Sequence, residues 1–248
     1  MDEYFPLSAT PEFPIRRGRC VQEGYLRGVG LEFKNLREQI AADPDYQEAF
    51  QYASGRSILM LDRIMNLFLL IKYFLPRIPV GHIIEYGSYR GGSAFFMAAL
   101  ARKFLPQTHV FALDTFSGMP ATDPAIDAHH AGDFANTNAD EVRSAATAFG
   151  LTNLHVVPGL FQDTATQVLQ QAGAISLAHI DCDIYHAVKY SYEASRAYMV
   201  NGGYLVFDDA TASSCIGATE AVEDFVIRRD GLCSEQIYPH FVFRNFIG

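Results

Sequence analysis

ISLAHIDCDIYHAVKYSYEASRAYMVNGGYLVFDDA, residues 175–210, holds the strongest structural signal in this chain. Two apolar runs, 176–180 and 204–207, each end in aspartate: Asp181 with Asp183 after the first, Asp208 with Asp209 after the second. A segment of helical length closing on Asn201-Gly202-Gly203 separates them, so the unit reads strand, helix, strand, with parallel strands. Parallel neighbours align their carboxyl ends, which places both acidic clusters at the sheet edge where open α/β folds bind ligands. Carboxylates gathered there repel one another unless a cation or basic partner joins them. An all-oxygen set suits a hard divalent cation, magnesium before calcium or zinc.

Working outward, the same alternation extends over the C-terminal two thirds of the chain. HIIEY from His82, HVFAL from His109 and LHVV from Leu154 read as strands, with helices over 92–104, from Asn138 to about Phe149, over 163–171 and from about Gly217 to Arg229. SEQIY and FVFRN, joined only through Pro239-His240, close the chain as an antiparallel pair. The expected architecture is a doubly wound α/β sheet of seven strands with a reversed edge, residues 79–248 forming one domain. Residues 1–78 read as an appendage. Prolines at 6, 11 and 14 keep residues 1–20 extended, and helices follow from about Leu31, Tyr46 and Ser57. Acceptor and oligomer contacts are expected from this part, and a homo-oligomer, dimer or higher, is the expected assembly.

The 248 residues carry a net charge of -9, against a nucleic-acid or anionic-membrane partner and in favour of a small molecule. Four scattered cysteines without a CxxC pair signal neither a zinc knuckle nor a disulfide framework. The N-terminus has no basic stretch followed by an apolar core, so a cytoplasmic protein with reduced thiols is expected. The apolar run 58–75 approaches the length of a membrane span, but Asp62, Arg63, Asn66 and Lys72 interrupt it. A helix buried on the sheet or at a subunit contact accommodates those groups better than a bilayer does.

After the first strand of the alternation, Glu85-Tyr86-Gly87-Ser88-Tyr89-Arg90-Gly91-Gly92-Ser93 forms a glycine turn into a helix. Such a turn brings a ligand close to main-chain N–H groups, with Gly87 and Ser93 at its two ends. A dinucleotide fingerprint would have glycine where Tyr89 stands, which weakens pyrophosphate binding as a reading. Glu85 points to a cationic ligand end or a ribose, and Asp114, closing the next strand, to a pair of ribose hydroxyls. Phe161 and Gln162 follow the third strand, where they can pack on and hydrogen-bond an adenine. The glycine turn, Asp114 and Glu85 together favour an adenosine ligand with positive charge, S-adenosylmethionine.

The ordered motifs EYGSYRGGSA, DTFSGMP, GLFQDT, HIDCDIYHA and GGYLVFDDA resemble those of the macrocin O-methyltransferase family over about residues 83–243. The resemblance implies a class I methyltransferase (Rossmann-like) sheet, S-adenosylmethionine as donor, a sugar or glycoside hydroxyl as acceptor, and magnesium held by Asp181, Asp208 and Asp209. Cys182, Ile184 and His186 depart from the family pattern. For the base that takes the acceptor proton, Asp181, His129, His130, His186 after the metal strand, and water are the candidates; His129 and His130 lie in TDPAIDAHHAGDF, residues 122–134, which reads as a lid. Two rival functions remain at this point: a DxD glycosyltransferase using Asp181 and Asp183 on a nucleotide sugar, and a non-catalytic nucleotide-binding module.

Overall fold

The structure, a computed structural model, describes residues 15–16, 19–20 and 35–246. The expected extended path of residues 1–20 and the helix start at Leu31 lie largely outside them; Ile15–Arg16 (β1) pairs antiparallel with Arg19–Cys20 (β2). Helices α1 (Leu36–Ala42), α2 (Pro44–Ala53) and α3 (Leu61–Leu69) follow. Asp43 caps α2 by accepting the Asp45 N–H at 2.9 Å, with Pro44 at the first helical position, where its missing donor is no loss. The helix expected from Ser57 starts four residues later. It continues past Leu69 as a π-turn, Leu70–Phe74, and a 3-10 turn, Leu75–Arg77, whose second residue, Pro76, has no N–H to carry the ladder on.

The main sheet has β3 (His82–Tyr86), β4 (Val110–Asp114), β5 (Leu154–Pro158), β6 (Ile175–Ile180), β7 (Met199–Phe207) and β8 (Phe241–Asn245), in the order β5-β4-β3-β6-β7-β8. All neighbours are parallel except β7 and β8, which run antiparallel. Between the strands run α4 (Gly92–Phe104), α5 (Ala139–Ala148), α6 (Phe161–Ala172), α7 (Tyr185–Arg196) and α8 (Ile216–Ala221), the last extended by a π-helical stretch, Val222–Arg229. Asn138 opens α5 as its sequence position predicts, accepting the Asp140 and Glu141 N–H groups at 2.8 and 3.2 Å.

The sheet has six strands rather than seven. Residues 234–238 make only a single bridge, Gln236 to Val242. The Ser234 hydroxyl donates to the main-chain oxygens of Gln236 and Val242, and the Gln236 N–H returns to it at 3.2 Å, so local bonds take the groups a ladder would use. Ile237 and Tyr238 are 62% and 56% exposed and gain nothing from pairing.

Each face of the sheet carries its own core. One packs α2, α3, α4 and α5 against Ile83, Leu177, Tyr204 and Val206; the other packs α6, α7 and α8 against Ile84, Ala178, Leu205 and Phe207. The N-terminal helices therefore share a core with the sheet. Every charge in the apolar run has a partner: Asp62 receives Arg37 at 2.8 Å, Arg63 reaches Asp208, and Lys72 donates to Asp43 and Asp45 at 2.6 and 2.7 Å. No helix among the described residues is long and apolar enough to cross a membrane.

One contact ties α7 to the C-terminal π-helix. Asp230 accepts the Tyr192 hydroxyl at 2.7 Å and Arg229 Nε at 3.0 Å, and Arg196 also reaches it. Its side chain is only 13% exposed, and the Arg229 guanidinium, with Tyr192 and Arg196, holds its carboxyl down at about 2. A carboxyl depressed in the folded state contributes stability above its unfolded pKa, and that contribution fades as pH falls from about 4 towards about 2. Asp230→Asn should lower stability by about 1.5 to 3 kcal/mol at neutral pH, with the gap to wild type closing below about pH 3 in denaturant titrations.

Candidate active site

Strand order reverses between β3 and β6, because the chain steps outward through β4 and β5 and then returns to the other side of β3. The crevice at such a switch point binds ligands in open α/β sheets. Gly87 leaves β3 and Asp181 leaves β6 there, so close that a Cβ on Gly87 would lie 1.6 Å from the Asp181 carbonyl oxygen. No other residue fits at 87, which also has φ +92°.

A cavity of about 680 Å³ opens at this point, within the usual range for small-molecule sites. Gly87, Ser93, Asp114, Phe161 and Gln162 line one part of it, and Asp181, Asp208 and Asp209 another. The glycine turn is held open by Tyr89, in the left-handed region at φ +49°. The Tyr89 N–H donates to Asp114 Oδ2 at 2.8 Å, and Thr137 donates to the Tyr89 carbonyl at 2.5 Å. Asp114 Oδ1 accepts the Phe116 N–H at 2.6 Å. Burial pushes the Asp114 carboxyl up, and these N–H groups partly offset it. Phe161 opens α6, two residues before the expected start, and meets Tyr86 edge-on at 5.2 Å, so it serves both the core and the cavity wall.

Glu85 corrects its sequence reading. It is fully buried, does not line the cavity, and accepts His179 Nδ1 at 3.0 Å across the β3–β6 register, because residue alternation turns it into the sheet layer behind the site. Ser88 was not singled out by the sequence. Its hydroxyl is buried, has no partner, and belongs to a cavity-lining residue, so it is a donor ready for a ligand.

Asp181, Asp208 and Asp209 each offer an oxygen within 4.8 Å of the others. Asp208 is the most heavily engaged: Oδ2 pairs with Arg63, while Oδ1 accepts His240 Nε2 at 2.7 Å and lies 3.5 Å from His179 Nε2. Asn66 Nδ2 donates to His240 Nδ1 at 2.9 Å, which fixes His240 as a neutral imidazole. Burial lowers the His240 pKa in agreement with that tautomer. Burial works against a charged His179 too, but Asp208 and Glu85 beside it raise its pKa to about 9. Burial alone would raise Asp208, yet the two imidazoles hold it below the usual carboxylate range. Asp181 and Asp209 go well above that range through burial and the neighbouring carboxylates. The three oxygens fit a hard divalent cation, and the Arg63 guanidinium, at 3.7 Å from Asp209 and with its Nε unpaired, only partly balances them.

Arg63, His179 and His240 were not read as site residues from sequence. The signal for Arg63 was present: an arginine inside an apolar helix must find a buried acid. The loop histidines are placed differently from expectation. His130 is exposed, with its main-chain N–H on Asp133 at 2.9 Å, and lines no part of the cavity. His129 also stays off the cavity wall and faces Asp183 and Cys215, at 3.6 and 3.5 Å. Asp133, four and three residues on, closes a tight local turn by accepting the His129 ring and the His130 main-chain N–H. The histidine that does line the cavity is His186. Within the segment 122–134, Asp127 accepts the Tyr185 N–H at 2.9 Å.

The chain is 27% identical over 181 residues to the 8-demethyl-8-(2,3-dimethoxy-alpha-L-rhamnosyl)-tetracenomycin-C 4'-O-methyltransferase of Streptomyces olivaceus, covering 69% of this chain and 67% of the relative. To the demethyldecarbamoylnovobiocin O-methyltransferase of Streptomyces niveus it is 21% identical over 229 residues, 82% and 86% of the two chains. Among solved structures, the O-methyltransferase NovP superposes with a TM-score of 0.66 at 17% identity, over 81% of this chain and 88% of that one. The calicheamicin methyltransferase CalS11 does so with 0.64 at 20% identity, over 82% and 93%. Residues 55–232, from just before α3 through the end of the π-helix, match the model of the macrocin O-methyltransferase (TylF) family, and the chain, an O-methyltransferase, belongs to that family.

Proposed function

We propose that this enzyme transfers the methyl group of S-adenosylmethionine to a hydroxyl on the sugar of a glycosylated natural product, with a magnesium ion at Asp181, Asp208 and Asp209. The observation that carries this reading is the single cavity shared by the glycine turn and the three carboxylates. When bound, S-adenosylmethionine supplies an electrophilic methyl group, and magnesium lowers the pKa of a coordinated hydroxyl. Gly87, Ser88 and Ser93 receive the polar end of the donor, Asp114 its ribose hydroxyls, and Phe161 and Gln162 its adenine. Asp181, which lines the cavity beside the acceptor position, takes the acceptor proton on its carboxylate. His129 remains outside this assignment.

Labelled donor incubated with a panel of glycosides and catechols tests the proposal. Label should pass to deoxysugar glycosides; transfer to catechols alone, or to none, counts against it. In the same preparation, Asp114→Ala should weaken S-adenosylhomocysteine binding by about 10- to 150-fold, the equivalent of about 1.5 to 3 kcal/mol for hydrogen bonds to a charged group. Unchanged affinity in calorimetry removes Asp114 from the donor site.

A further inference from the structure

Beside the three carboxylates lies a second cluster, built from different chemistry. His129 Nε2, Asp183 Oδ1 and Cys215 Sγ stand 3.6 Å (His to Asp), 3.3 Å (Cys to Asp) and 3.5 Å (Cys to His) apart. Zinc bonds to sulfur at about 2.3 Å and to nitrogen and oxygen at about 2.0 to 2.2 Å, so tetrahedral ligand atoms sit about 3.3 to 3.6 Å from one another. The observed triangle has that size. His129 Nδ1 donates to Asp133 Oδ2 at 3.1 Å, which leaves the Nε2 lone pair facing Asp183 and Cys215. A carboxylate holding the far nitrogen of a histidine is the usual outer support of a metal-bound imidazole. Asp183 is aimed by a left-handed turn, φ +59°, whose N–H donates to Asp209 Oδ2 at 3.0 Å.

We propose that His129, Asp183 and Cys215 form a second metal site, for a soft divalent cation of the zinc type, separate from the all-oxygen site. A sulfur, a nitrogen and one oxygen select such an ion over magnesium, with a fourth position left for water. Binding releases the Cys215 thiol proton to solvent. The ion joins three segments that are remote in sequence: the 115–137 connection through His129, the turn after β6 through Asp183, and the residue before α8 through Cys215. The first of these supplies Gly118, Met119, Pro120, Ala121 and Phe134 to the cavity wall. Metal occupancy therefore pins that wall over the site.

The same residues also read as a nucleophile with its base, Cys215, His129 and Asp133. Two observations set this aside. Cys215 is 4% exposed and does not line the cavity, so no substrate reaches it. Its thiol donates to the Asp183 carboxylate at 3.3 Å, which favours the protonated form.

Cobalt(II) titrated into the reduced full-length protein, with magnesium in excess to fill the oxygen site, is the test. Wild type should bind one equivalent, with a thiolate-to-cobalt charge-transfer band and the intense visible bands of tetrahedral cobalt. Cys215→Ser should lose the charge-transfer band, Asp133→Asn should bind about 10- to 100-fold more weakly, and Cys233→Ser should match wild type. S-adenosylhomocysteine binding reports that each variant is folded; should Cys215→Ser fail that check, His129→Gln carries the test through loss of tight binding. Absence of the band in wild type, or its survival in Cys215→Ser, overturns the proposal. Neither outcome depends on methyl transfer, which is read separately by the labelled donor.

Discussion

Asp181→Asn should reduce methyl transfer by about 10²- to 10⁴-fold, the usual contribution of a positioned general base, while S-adenosylhomocysteine binding stays nearly intact. The substitution preserves size and one oxygen but removes the charge and the basic lone pair. Asp181 follows β6 directly and lines the cavity, whereas Asp208 already holds Arg63 on one oxygen and His240 on the other, keeping one further lone pair on each for the metal, and Asp209 accepts the Asp183 N–H. Asp181 is therefore the carboxylate free to meet the acceptor. Raising magnesium separates its two roles. A residue that is only a ligand is rescued by excess metal; a residue that also takes the proton is not, and little rescue is expected here. Full activity at ordinary magnesium would remove Asp181 from both roles.

Arg63→Met should lower stability by about 3 to 5 kcal/mol in the presence of chelator, since breaking a buried ion pair leaves an uncompensated charge. For a chain of this size that is a fall in Tm of about 6 to 20 °C. Arg63 is buried on α3 and is the guanidinium that reaches Asp208 and Asp209. Without it, the site depends on a cation for balance, so saturating magnesium should recover much of the loss by binding only the folded state. Wild type should show a smaller magnesium effect. Equal stability of the two proteins in chelator contradicts this account of how the acids are held.

What sequence could show follows from the range over which each signal acts. Residues 175–210 carried their own strands, helix and carboxylates in one contiguous unit, and β6, α7 and β7 formed with the three aspartates brought together. Asn138, Gly87 and Asp114 were legible because a cap, a tight turn and a strand end are local events. Glu85 lay in a readable turn, but the side it faces depends on strand alternation and on His179 across the β6 neighbour, which no local pattern gives. Arg63 was visible as an anomaly in an apolar run; its partner, 145 residues away, was not. His240 entered the site through the packing of the β8 hairpin against Asn66, and the same local bonds that shaped this hairpin removed the expected seventh strand. The Cys215 contact with His129 joins residues separated by 86 positions, which cysteine spacing cannot reveal.

The central claim is that Asp181, Asp208 and Asp209 hold one hard divalent cation. Manganese(II) titrated into the wild-type protein and followed by electron paramagnetic resonance measures this without reference to turnover. One manganese per chain, displaced by magnesium, abolished by Asp209→Asn and unaffected by Cys215→Ser, is the predicted result. Absence of specific binding, or binding that survives loss of Asp209, contradicts the claim.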